Sequence, residues 1–266
     1  MQYCIDFSCV SHKGNCRVMN QDNFICEGRY TELDGPGFFA PFFGRACADK
    51  KRLFGIFDGM GGEECGEVAS YIAAVCASKI KLGRDTEAEA LRFCKEANAA
   101  ICEYASKHSV ACMGTTAAAI ITEKDKAVVF NVGDSRIFRF DGDTLAQISV
   151  DHVAVSSFKR KPPLLQFLGI PETEMIIEPH IATHELLCGD RYLICSDGLT
   201  DMVEEKDIAQ IIKDTPTEKA AEALLERALQ NGGRDNITVI LLSVVKKEGF
   251  FKKIFGKKPK NTGKGE

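Results

Sequence analysis

A chain of 266 residues is long enough for one large domain or two small ones, and 45% hydrophobic with 27% charged residues is the balance of an ordinary globular protein. A formal net charge of −4 excludes a general electrostatic grip on nucleic acid. No apolar run approaches the roughly 18 residues of a membrane span, and Asp6 sits where a secretory leader would carry its apolar core, so the expectation is a cytoplasmic protein.

The alternation of Tyr3, Ile5, Phe7 and Cys9 predicts a first strand, and 23–28 a short second one after a turn-rich stretch. Residues 28–50, with Gly, Pro and a Phe cluster, read as an extended hairpin or insertion, and 51–57 as a strand. The spacing of Val68, Ile72, Val75, Cys76 and Lys79 predicts a helix over 63–80. That of Ala90, Leu91, Cys94, Ala97, Ile101 and Tyr104 predicts another over 86–108. Strands follow at 113–122 and 126–134, then a hairpin over 136–149 turning at Asp141-Gly142; Asp34-Gly35 reads as a turn too. Residues 152–174, containing Pro162-Pro163, are irregular. Strands return at 174–183 and 190–197, helices at 203–214 and 216–233, and a last strand at 236–245.

Strands follow strands too often for a regular βαβ fold. The expectation is α+β, with antiparallel sheets and helices packed on their outer faces. No internal repeat or clean linker appears. From Lys246 the chain is a lysine-rich tail, expected to be solvated. Phe250, Phe251, Ile254 and Phe255 interleave with its lysines, a pattern that suits a weak anchor to an acidic partner or membrane face. Among twelve cysteines the closest pair, Cys4 and Cys9, is five apart. That spacing argues against a zinc knuckle or a thioredoxin-type site; cysteines within apolar runs, such as Cys76 and Cys195, read as reduced core residues.

One device recurs. Asp58-Gly59 ends "LFGIFDG", Asp197-Gly198 ends "YLICSDG", Gly133-Asp134 ends "AVVFNVGD", and Asp235 precedes "NITVILL". A carboxylate at the mouth of an apolar strand is costly unless paired or bound to a cation. Carboxylates without neighbouring Cys or His suit hard cations, Mg²⁺ or Mn²⁺. Two such ions, about 3.5–4 Å apart, can activate a bridging water for attack on phosphorus. Arg17 offers a planar fork for phosphate oxygens, with Asn20 and Asp22 close behind it.

The segments "GNCRVMNQD" (14–22), "FDGMGG" (57–62), "MGTTAAAI" (113–120), "NVGDSR" (131–136), "DH" (151–152), "CSDGLTD" (195–201) and "GGRDNIT" (232–238) together resemble the metal-dependent serine/threonine phosphatases of the protein phosphatase 2C family, bacterial type. The resemblance covers residues 1–245, with 246–266 as the tail. It implies a four-layer α-β-β-α sandwich, two antiparallel sheets between helices, with a two-metal centre at the sheet edges. Asp58 then bridges both ions, Gly59 lends its carbonyl, Asp197 and Asp235 complete the first ion's ligands, and Asp22 sits beside the second. Arg17 takes the substrate phosphate, and Asn20 and Asn236 support the site. A third, weaker ion would use Asp134, Asp197 and Asp201. The implied reaction is hydrolysis of phosphoserine and phosphothreonine in proteins by a monomer, with a serine/threonine kinase as the opposing partner.

The chain departs from the family pattern at Met60, where eukaryotic relatives carry a histidine assigned to protonating the leaving group; here a metal-bound water is the expected substitute. The stretch after Asp151-His152 is shorter than the usual flap. "GDSR" resembles an esterase block, but no D-x-x-H follows it, and C-x5-R is absent after every cysteine. The remaining alternative is a catalytically inactive phosphopeptide-binding module of the same fold.

Overall fold

The computed structural model describes residues 3–33, 35, 38–47, 50–60, 65–155 and 162–247. The expected turn at Asp34, the glycines at 61 and 62, and the tail beyond Lys247 lie outside these residues. In chain order the elements are β1 (Tyr3–His12), β2 (Asp22–Cys26), β3 (Phe38–Cys47), β4 (Arg52–Met60), α1 (Gly66–Lys79), α2 (Thr86–His108), β5 (Gly114–Thr115), β6 (Ala117–Glu123), β7 (Lys126–Val132), β8 (Arg136–Phe140), β9 (Leu145–Gln147), β10 (His180–Glu185), β11 (Arg191–Cys195), α3 (Asp197–Thr200), α4 (Glu205–Asp214), α5 (Thr217–Gln230) and β12 (Ile237–Lys246).

One sheet has the order β3-β1-β12-β11-β8-β9 and the other β10-β7-β6-β4-β2, with β5 appended to β4. Three apolar layers hold the four structural layers together. Between the sheets lie Phe7, Phe24, Phe54, Ile120, Tyr192 and Leu242. Outside one sheet, Phe57 and Phe130 pack on Phe93 and Ile101 of α2 and Ala73 of α1. Outside the other, Leu193 and Leu241 pack on Ile208 of α4 and Leu224 of α5. Strands with apolar partners on both faces read as unbroken apolar runs, which is why β12 is buried from Ile237 through Val244. The expected α-β-β-α sandwich is the fold found.

Four local expectations are corrected. Residues 38–47 are neither a hairpin nor an insertion: β3 pairs antiparallel with β1, from Cys4 opposite Cys47 to His12 opposite Phe38, and forms the edge of its sheet. The strand expected from 174 begins only at His180. In α1 the fully buried face is Gly66, Ala69, Ser70, Ala73, Ala74 and Ala77, while Val68, Ile72 and Cys76 flank it. The reason is distance: a helix pressed closely on a sheet needs small residues at the contact, and the larger ones then seal the sides. In α2, Leu91 is exposed and Phe93 takes the core position.

Candidate metal centre

The period-2 alternation of the strands builds the site. Along each inward face, hydrocarbon gives way to oxygen at the same end of the sandwich. On β1, Ile5, Phe7 and Cys9 are followed by Ser11; on β12, Leu242 and Ile240 are preceded by Thr238; on β11, Tyr192 and Ile194 are followed by Ser196. In the facing sheet Phe24 yields to Asp22, Phe54 and Ile56 to Asp58, and Ala118 to Thr116. Asp22 and Asp58 are direct cross-strand partners, so their side chains leave the sheet side by side.

A directed chain of donors reaches the buried carboxylate. Asn20 Nδ2 donates to Ser11 Oγ at 2.8 Å, Ser11 Oγ lies 2.8 Å from Thr238 Oγ1, and Thr238 Oγ1 donates to Asp22 Oδ2 at 2.7 Å. Ser196 Oγ donates to the same oxygen at 2.8 Å. Asp22 Oδ1 is buried with no hydrogen-bond donor. Burial pushes the Asp22 carboxyl up to about 6; the Thr238 and Ser196 hydroxyls pull it down, and the charge of Asp235 adds to the rise.

The loop between β1 and β2 is stapled to the turn before β12. Asn15 donates from its backbone to Gly233 O at 2.7 Å and from Nδ2 to Leu229 O and Gly232 O. Asn236 donates to Lys13 O and Met19 O, both at 2.9 Å, and accepts from Gln21 N at 2.8 Å. Its role is therefore to fasten the loop that carries Arg17. Asn20 Oδ1 accepts from Asp22 N at 3.2 Å and fixes the start of β2.

The Asp-Gly pairs have a packing reason beyond an open carbonyl. A Cβ on Gly59 would lie 2.1 Å from Gly66 O and 2.5 Å from Gln21 O, and one on Gly198 would lie 1.9 Å from Asn236 O. The Asp58 mouth is thus pressed backbone to backbone on the segment leading into Asp22 and on the start of α1, and the Asp197 mouth on the segment carrying Asp235. Gly133, at φ +98°, turns the chain toward Asp134, and its N–H donates to His152 Nδ1 at 3.1 Å. Burial lowers His152, which keeps that nitrogen an acceptor. Thr116 Oγ1 accepts from Asp58 N at 3.1 Å and meets Ser135 Oγ at 2.7 Å, tying the Asp134 turn to the Asp58 strand. Asp201 caps the single turn of α3 by donating its N–H to Asp197 O at 2.8 Å, which puts the two carboxylates one turn apart.

Arg17 is found against Asp235, Nη2 to Oδ2 at 2.7 Å, with Asp58 and Asp22 close enough to raise its pKa further. The phosphate-gripping candidate and three carboxylates therefore share one neighbourhood. Among the described residues no three His, Cys, Asp or Glu side chains are already drawn into one metal-sized cage. The donor set is nonetheless all hard oxygen, and the orphaned Asp22 Oδ1 beside Asp58 suits a divalent cation. Met60 ends β4 opposite Gly114 and offers no proton.

Sequence reasoning missed Ser11, Thr116, Ser135, Ser196, Thr238 and His152. The signal for the hydroxyls was present: each stands two residues beyond an apolar residue of the same face.

A family model described as protein phosphatase 2C matches residues 43–235. The serine/threonine phosphatase stp of Listeria innocua is 32% identical over 217 residues, 73% of this chain and 85% of that protein. The serine/threonine protein phosphatase PstP of Mycobacterium tuberculosis is 31% identical over 208 residues, and the match spans only 40% of its length. The crystal structure of M. tuberculosis PstP/Ppp aligns over 91% of this chain and 100% of its own with TM-score 0.75 and 27% identity. The PstP catalytic domain in complex with two manganese ions aligns over the same shares with TM-score 0.74 and 28% identity.

Proposed function

Because the chain belongs to the protein phosphatase 2C family, we propose that it is an enzyme hydrolysing phosphoserine and phosphothreonine in proteins, opposed in the cell by a serine/threonine kinase. The observation that carries this reading is the oxygen-lined end of the sandwich, where the orphaned Asp22 Oδ1 lies beside Asp58 and Arg17 reaches across to Asp235.

Asp22, Asp58, the Gly59 carbonyl, Asp197 and Asp235 are the residues that would hold two Mn²⁺ or Mg²⁺ ions. Asp134 and Asp201, with Asp197, would hold a weaker third. The ions would supply Lewis acidity, lowering the pKa of a water held between them. The chain supplies everything else. Asp58 and Asp22 set the geometry from paired strands, Ser196 and Thr238 hold Asp22 in one orientation, and Arg17 grips the phosphate with a planar fork. Met60 has no proton to give, so the leaving oxygen takes its proton from water. We take residues 1–245 as the catalytic unit; β12, its last strand, runs to Lys246. We place the enzyme in the cytoplasm as a monomer; among the described residues no helix is long and apolar enough to cross a membrane.

The test is hydrolysis of p-nitrophenyl phosphate and of a phosphothreonine peptide with Mn²⁺. Turnover lost in EDTA and restored by Mn²⁺ is the expected result. Absence of turnover with Mn²⁺ would leave a phosphopeptide-binding module instead.

A further inference from the structure

Two pairs of thiols touch in this fold, in opposite surroundings. Cys9 and Cys26 meet between the sheets, both fully buried, and burial with mutual contact pushes the Cys9 thiol well up. Cys4 and Cys47 face each other directly across β1 and β3, with their sulfurs 3.9 Å apart. They lie on the other face of β1, beside the Asp6–Arg45 ion pair, and Cys47 is half-buried on the edge strand.

We propose that Cys4 and Cys47 are a site of reversible disulfide formation, closing a staple between the edge strand and its neighbour when a small-molecule disulfide such as oxidised glutathione is present. Directly opposed residues of an antiparallel pair hold their Cβ atoms about 4.5–5.5 Å apart. A disulfide takes Cβ atoms about 3.5–4.5 Å apart and sulfurs about 2.05 Å apart. Rotation about the two χ1 angles and a small approach of the edge strand close that gap.

The chemistry balances in two exchanges. The accessible Cys47, as thiolate, attacks one sulfur of oxidised glutathione; a Cys47–glutathione mixed disulfide forms and one glutathione thiol leaves. Cys4 then loses its proton and attacks Cys47 Sγ; the protein disulfide forms and the second glutathione thiol leaves. Two protein thiols are oxidised and one glutathione disulfide is reduced to two thiols. Burial and the neighbouring Cys47 raise the Cys4 thiol, while Arg45 and Lys247 pull it back, so the order of attack follows from access. Cys9 and Cys26 are sealed from the reagent by the same packing that brings them together.

The staple spans 43 residues of chain. It lies about 23 Å along β1 from Ser11, taking roughly 3.3 Å per residue. It therefore reports on stability and leaves the proposed site intact. In the chain-entropy model such a loop raises the melting temperature by roughly 5–15 °C.

The experiment is incubation of the full chain with oxidised glutathione, alkylation of remaining thiols, and peptide mapping by mass spectrometry alongside thermal melting. We expect a Cys4–Cys47 cross-linked peptide and a higher melting temperature that dithiothreitol reverses. Cys47→Ser should lose both while keeping p-nitrophenyl phosphate turnover. Exposed Cys16, Cys112 and Cys188 serve as the internal comparison, carrying glutathione adducts. Recovery of Cys4 and Cys47 as separately alkylated or singly glutathionylated peptides would overturn the proposal. So would cross-linking of Cys9 to Cys26 in the folded protein.

Discussion

The two ends of the sandwich are built from the same strands and obey different rules. At one end Phe54, Ile56, Phe24 and Leu242 fill the space between the sheets. At the other, the next residues of the same faces are Asp58, Asp22 and Thr238: Asp22 and Asp58 stand opposite each other across β2 and β4, and Thr238 Oγ1 donates to Asp22 Oδ2 at 2.7 Å. The hydrocarbon end gains stability from area alone and tolerates any side chain of suitable volume. The oxygen end has directional bonds, a carboxyl raised by burial and an orphaned acceptor, an arrangement that costs stability and suits the binding role proposed for it.

The difference can be broken most sharply at Asp58. Asp58→Asn should remove Mn²⁺ binding and turnover together while the melting temperature of the metal-free chain is kept; calorimetric titration and a phosphatase assay check it. Phe54→Ala is the mirror experiment. It should cost about 3–5 kcal/mol of stability in denaturant unfolding and leave turnover per folded molecule unchanged.

Thr238→Val probes the border between the ends. It removes one donor to Asp22 and should weaken Mn²⁺ binding about 10–100-fold, with a stability cost of only about 1 kcal/mol. Acid gives the mildest effect. The Asp22 carboxyl, raised from 3.8 to about 6, binds its proton more tightly folded than unfolded. The metal-free chain should therefore lose stability as pH rises through that window. Mn²⁺ competes with the same proton, so its affinity should fall about fivefold between pH 6 and pH 5. Affinity flat across that range would show that Asp22 is not a ligand.

Much of this was legible in the sequence because period and composition carried it. Helix α2 falls on Thr86–His108 as its spacing predicts, and Asp141 caps its hairpin turn by accepting from Asp143 N and Thr144 N. The carboxylates announced themselves at the ends of apolar runs. What was not legible depends on contacts between distant segments. Nothing local marks 38–47 as a partner of β1, since its Phe residues suit a loop as well as an edge. The buried face of α1 is set by how closely the sheet approaches, which periodicity does not encode. Arg17 was placed by its motif, but its pairing with Asp235, 218 residues away, is a property of the folded loops.

The glycine beside each of two carboxylates also sets a spacing gauge. With Asn236 O only 1.9 Å from where a Cβ of Gly198 would stand, one added methyl group must wedge apart the segments carrying Asp197 and Asp235. An alanine scan of this protein would then score a residue with no side chain as though it were a ligand. The loss would come from thickness and not from charge.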